Sequence, residues 1–173
     1  MAFSTDGAAS DGDPVFAQLH PAGVSRVSVS GRTTTAVLLP GMTVRVRARV
    51  DDRGRGKDEI RLIDIVTPTE DFQPDAVRPN RVETIVGTVV RATKDQIMLQ
   101  VSAGRLRRIT LPVADDALAV IEAADLRLIT AGDAIEVKGR LWNGAGSAGS
   151  GTVFASRVTV TKPAVVSSDL PRP

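Results

Sequence analysis

Between Thr43 and Val50 the chain reads TVRVRARV, with an apolar residue at every second position and an arginine between each pair. Side chains on a β-strand project alternately to its two faces. The pattern is therefore that of a half-buried strand, with Val44, Val46, Ala48 and Val50 turned to a core and Arg45, Arg47 and Arg49 turned outward. Shorter alternating runs recur along the chain, punctuated by 15 glycines and 10 prolines. The fold class is mainly β. With 42% apolar residues, 173 residues are enough for one ordinary domain or two small ones.

The chain also matches itself. VSVSGRTTTAVLLP (27–40) lies on LQVSAGRLRRITLP (99–112) without a gap, at an offset of 72. GMTVRVRARV (41–50) then lies on GDAIEVKGRL (132–141) at an offset of 91, and IDIVTP, ending at Pro68, on VTVTKP, ending at Pro163, at an offset of 95. On this alignment the second copy carries 19 extra residues, VADDALAVIEAADLRLITA (113–131). They read as a short helix: Asp115 or Asp116 suits its N-terminus, and Leu118 and Ile121 follow a helical spacing in an alanine-rich stretch. The second copy then runs β-β-β-α-β-β through VETIVGTVVRA (82–92), QIMLQVS (96–102), RITLP (108–112), the helix, DAIEVKGRL (133–141) and TVFASRVTVT (152–161).

That order resembles the OB-fold, a five-stranded Greek-key barrel with a helix between its third and fourth strands. Gly87 inside the first strand suits the bend such a barrel needs. The stretch ADDALAVIEAADLRLITAGDAIEVKGRL is similar to the helix and fourth strand of bacterial single-stranded-DNA-binding proteins, notably in its AGD turn and V-x-G-R-L ending. The resemblance implies tandem OB-like barrels. Residues 14–68 would form a degenerate barrel without the helix, opening on VFAQL (15–19). Residues 69–80 would be a proline-containing linker, and 81–163 the complete barrel. Residues 1–13 and 164–173 read as flexible ends, as in a segment of a longer polypeptide.

Composition narrows the function classes. The formal charge is only +2, from 22 basic and 20 acidic side chains, so attraction to a polyanion must come from local clustering. Arg45, Arg47 and Arg49 on the strand, with Arg53, Arg55 and Lys57 in the next loop, form one such cluster, and Arg105, Arg107 and Arg108 a second. Three guanidinium groups spaced ~6.5 to 7 Å along a strand roughly match the phosphates of a single strand. Asp51, Asp52, Asp58, Glu59 and Asp64 accompany them, so a salt-bridged, solvated face is the competing reading. Strands 96–102 and 108–112 and the turn between them present Gln96, Met98, Gln100, Arg105, Arg108 and Thr110 outward, without the rings on which bases stack. Trp142, opening the loop WNGAGSAGSG, could serve as a stacking platform or cap the core.

No constellation for catalysis is legible. His20 is the only histidine, Asp51-Asp52 and Asp115-Asp116 suit a turn and a helix start, and GRGK lacks P-loop spacing. Without cysteine there are no disulfides, thiolate sites or cysteine nucleophiles, and either redox compartment is compatible. No membrane insertion is expected, since no run of 18 apolar residues and no intact signal peptide occurs, and no metal or cofactor, since His20 has no cysteine or second ligand at metal spacing. The protein is expected to be soluble with its compartment open, the cytoplasm being slightly favoured over a processed exported domain, which would read the same. The functional expectation is a non-enzymatic module for single-stranded nucleic acid or another polyanion. The alternative is a structural or assembly module that docks a protein partner or forms a homo-oligomer through β edges.

Overall fold

The computed structural model describes residues 2–3, 15–19, 26–68, 75–102, 104–142, 144–145 and 151–163. Within them lie ten strands: β1 (Ala2–Phe3), β2 (Val15–Leu19), β3 (Arg26–Thr34), β4 (Thr43–Arg49), β5 (Ile60–Val66), β6 (Val82–Ala92), β7 (Gln96–Gln100), β8 (Arg108–Ala123), β9 (Ala134–Trp142) and β10 (Thr152–Thr161). Two single 3-10 turns, Thr35–Val37 and Leu126–Leu128, are the only helical elements among the described residues. The mainly β reading holds, and the alternating runs at 43–49, 82–92 and 152–161 are strands.

Five strands close a barrel, compatible with an OB-like one, in the order β8, β5, β4, β6, β7 and back to β8. Four of its seams are antiparallel, and β5 with β8 is parallel. The apolar alternation of the arginine strand sets the register: Val44, Val46, Ala48 and Val50 are buried, while Arg45, Arg47 and Arg49 stay outside. The three valines and Ala48 share one core with Ile85 and Val89 of the neighbouring β6, Ile97 and Leu99 of β7, and Ile109 and Leu111 of β8. Gly87 sits where β6 and β7 press together, since a Cβ there would lie 2.8 Å from the carbonyl oxygen of Gln100. At that position glycine is needed for close approach of two backbones.

The division into two successive barrels is not what forms. β4 and β5 come from the span 14–68 and β6, β7 and β8 from the span 81–163, so one closed barrel draws on both. VFAQL is a strand, β2, but it pairs with β10 outside the barrel. Residues 27–40 and 99–112 differ in structure. The first are β3 and a 3-10 turn; the second are the end of β7, a loop and the start of β8.

The expected helix at 113–131 is also corrected. Residues 113–123 continue β8, and a single 3-10 turn follows at Leu126–Leu128. The burial there has a period of two: Ala117, Ala119, Ile121 and Ala123 face inward, while Leu118, Val120 and Glu122 are less covered. Residues 118–123 pair with β3 on one side, and 118–122 with β5 on the other. Backbone partners on both edges outweigh the modest helix propensity of alanine.

Beyond the barrel the sheet continues from β8, with β3 paired to β8 and β10, and β10 paired to β2 and β9. The local geometry there parallels the β4–β5 hairpin. Leu38 donates its N–H to Thr35 and Met42 to Leu39; Ile129 donates to Leu126 and Asp133 to Thr130. Gly41 and Gly132 close the two turns with φ of 86° and 92°. Thr43 pairs with Val66 as Ala134 pairs with Thr161.

The two hairpins are fastened by different chemistry. In the first, Met42 is buried, its sulfur accepts the Leu39 N–H at 3.4 Å, and the Thr67 hydroxyl accepts the Ala124 N–H at 2.8 Å. In the second, Lys162 Nζ donates to Asp133 Oδ2 at 2.7 Å and to Thr130 Oγ1 at 2.9 Å, and Asp133 also accepts the Thr130 N–H. The Lys162 and Asp133 side chains are 5% and 1% exposed, so neither charge has water to fall back on. Removing one partner of such a pair costs about 3–5 kcal/mol, whereas an apolar replacement of both is often neutral. Lys162→Thr is accordingly expected to lower unfolding stability by that amount in urea titrations. Asp133→Met added to it, copying the first hairpin, should restore most of the loss.

Candidate polyanion-binding surface

The arginine stripe of β4 is largely neutralised by its neighbours. Arg45 Nε meets Asp64 Oδ2 at 3.0 Å, and an Arg49 guanidinium nitrogen meets Asp58 Oδ1 at 3.1 Å. Both pairs are substantially exposed, worth at most about 1 kcal/mol each, but each satisfies a cation locally. Arg47 forms no ion pair among the described residues. It lines a groove of about 220 Å³ between β4 and β5 with Arg45, Arg61, Glu59, Leu62 and Asp64. Arg61 is held by Asp116 at 2.6 Å.

The loop after β4 is shaped by Asp51. Its carboxylate accepts the backbone N–H groups of Arg53 at 2.9 Å and Arg55 at 2.8 Å, and the Arg55 side chain at 3.1 Å. The Arg55 backbone hydrogen bond leads in holding the Asp51 carboxyl below the ordinary range; the Arg53 N–H and the Arg55 guanidinium act in the same direction. The folded loop is then laid on the start of β8. Thr110 donates its N–H to Gly54 at 2.9 Å, and Gly56 donates to the Thr110 carbonyl at 2.8 Å. Gly54 has φ of 77°, and a Cβ there would lie 2.5 Å from the Arg108 carbonyl oxygen, so the fit requires glycine.

This contact brings together two basic segments that lie far apart in sequence. Arg53 and Arg55 come to rest beside Arg108. Arg107 closes the adjoining loop, its guanidinium donating to the Ser102 carbonyl at 3.0 Å while its own carbonyl accepts the Val101 N–H. Arg53, Arg105 and Arg108 are exposed and make no ion pair among the described residues. Lys57 reaches Asn80 Oδ1 at 2.6 Å, joining the connector before β6 to the same end of the barrel. Trp142 is not part of this surface. It is half exposed at the end of β9, opposite Thr152 and against Gly144.

The paired acids have partners of their own: Asp115 meets Lys94 at 3.1 Å and Asp116 meets Arg61, both within β8 rather than at a helix start. Asp115 and Lys94 line the wall of a pocket of about 430 Å³ between the β7 and β5 seams of β8, with Thr34, Leu38 and Ala92. No group of three His, Asp or Glu residues suited to a metal occurs among the described residues, and His20 lies outside them. No helix among the described residues is long and apolar enough to cross a membrane.

Comparison with protein-family models, with curated proteins and with solved structures finds no match for this chain. The lowered Asp51 pKa carries a pH dependence. A carboxyl depressed in the folded state contributes fully above the unfolded value, about 3.9 for aspartate, and loses that contribution as pH falls through its folded value. In an NMR titration the amide signals of Arg53 and Arg55 should therefore move together with the Asp51 carboxyl carbon, and only below about pH 4.

Proposed function

We propose that this chain is a non-enzymatic binding module that holds single-stranded nucleic acid, or another polyanion, mainly by electrostatics. The observation that carries the reading is the pair of backbone hydrogen bonds between Thr110 and the Gly54–Gly56 loop, which sets Arg53 and Arg55 beside Arg108. Arg53 and Arg108, which have no carboxylate partner among the described residues, are free to exchange water and counterions for phosphates, and Arg105 adds an exposed cation on the same connection into β8. In an OB-like barrel the loop between the fourth and fifth strands is one that contacts ligand. That reading takes β4 and β5 as those strands and β6, β7 and β8 as the first three. The β4 arginines contribute less, because Arg45 and Arg49 already have carboxylate partners. Stacking is a minor term for this surface, since the outward side chains of β7 are Gln96, Met98 and Gln100.

Fluorescence anisotropy with a labelled thymidine oligonucleotide, at several salt concentrations, tests the reading. Log affinity should fall with log salt at a slope of ~0.7 per phosphate contacted. Arg53→Glu with Arg108→Glu should weaken binding at least tenfold and flatten that slope, while Trp142→Ala leaves both unchanged. Absence of any salt-sensitive association would overturn it.

A second reading, assembly through β edges, is favoured by one feature outside the barrel. β9 pairs only with β10, and its other edge has no strand among the described residues.

A further inference from the structure

We infer that two copies of this chain join edge to edge through β9, running antiparallel about a two-fold axis at Lys138. The inference rests on the assembly reading and specifies its partner and geometry. β9 stands where β4 stands in the barrel: each follows a glycine turn and pairs in the same register with the next strand. The outer edge of β4 is covered by β6 over seven residue pairs, from Thr43↔Thr88 to Arg49↔Val82. The outer edge of β9 is bare over the described residues. The consequence appears in the apolar side chains. Val50 is fully buried at the end of β4, whereas Leu141, at the equivalent place on β9, is 55% exposed.

The bare edge is ready to pair. On β4, the Met42 carbonyl accepts from Val89 of β6 and the Arg49 carbonyl accepts from Lys57 on the opposite side, so even-numbered residues hydrogen-bond toward β6 and odd-numbered ones away. On β9 the Lys138 carbonyl accepts the Ser156 hydroxyl of β10. Ile135, Val137, Gly139 and Leu141 therefore aim their N–H and C=O groups at the open side. β9 has nine residues, no proline and no bulge of its own kind to blunt that edge.

Charge selects a second copy as the occupant. Read in one direction the outward side chains are Glu136, Lys138 and Arg140; an antiparallel copy presents them reversed. Centred on Lys138, the pairing sets Glu136 opposite Arg140 of the partner subunit at both ends. On the inner face it sets Leu141 opposite the partner's Ile135 and Val137 opposite the partner's Gly139. Arg140 makes no ion pair among the described residues, and Glu136 has only Lys138 of its own strand, at 3.0 Å. The single like-charge contact, Lys138 with the partner's Lys138, has a glutamate on its own strand beside each lysine. Trp142, half exposed at the end of β9, is drawn to the rim of the same interface.

Sedimentation velocity on the full chain should show a dimer. Glu136→Arg should dissociate it, and Glu136→Arg with Arg140→Glu should restore it, because the swap rebuilds both cross-strand pairs. The chain has no cysteine, so Lys138→Cys introduces the only thiol. Residues facing each other without mutual hydrogen bonds are ~4.5 Å apart at Cα, within disulfide reach, so mild oxidation should link two copies covalently. Thr84→Cys, on the covered strand β6, should remain unlinked. An oligomer that ignores the Glu136 charge reversal and is not linked through Lys138→Cys overturns β9 pairing but leaves self-assembly standing. A monomer at all concentrations overturns both.

Discussion

Everything in this fold is tied to the double duty of β8. Its first part pairs with β7 and its last part with β5, the two seams by which it closes the barrel, and that last part also pairs with β3 outside it. A strand with this double role must leave no backbone group stranded, and pairing on both sides of 118–122 meets that condition. The inward residues there are mostly alanine, and Ile121 is completely buried. Between the β7 and β5 seams of β8, Lys94 and Asp115 meet as an exposed ion pair at the mouth of a pocket.

The β4–β5 and β9–β10 hairpins show how one backbone geometry can be fastened in two ways. Leu39, Met42 and Thr67 make a largely apolar lock; Thr130, Asp133 and Lys162 occupy the corresponding places with a buried ion pair. The ionic version is specific in direction, since Asp133 must meet Lys162 and the Thr130 N–H at once. It also leaves no buried side-chain polar atom without a partner among the described residues. The hairpins differ again at their outer edges, because β6 covers β4 while no strand among the described residues covers β9. The same strand pattern is thus core in one place and surface in the other.

Electrostatics follows the same logic of context. Three arginines in a row suggest a charged track, yet Asp64 and Asp58, brought in by the neighbouring strand and loop, pair with two of them. Where the Gly54–Gly56 loop lies on the start of β8, Arg53 and Arg108 are exposed and make no ion pair among the described residues. Asp51 makes this arrangement persistent: it spends its negative charge on the backbone of its own loop and on Arg55, leaving Arg53 unpaired. A carboxylate can therefore build a basic surface by fixing the loop that carries it.

The sequence alone determined what depends on neighbours two residues apart. Alternation at 43–50, 82–92 and 152–161 marked strands and their faces, and the outward direction of Arg45, Arg47 and Arg49 was legible from the same rule. Gly87 read as a place for a bend, whereas the structure uses its missing Cβ for close approach to the Gln100 carbonyl. Tertiary structure alone decided the rest, for the reason that each remaining feature depends on residues distant along the chain. The segment 113–123 has the alanines of a helix, and only the edges of β3 and β5 make it a strand. The matching of 27–40 to 99–112 followed letters, while the turn geometry joins 35–42 to 126–133, where few letters agree. Arg53 and Arg108 became neighbours through Gly54 and Thr110, a contact no local pattern encodes. The open edge of β9 arises because a strand cannot carry in its own sequence whether another will lie beside it.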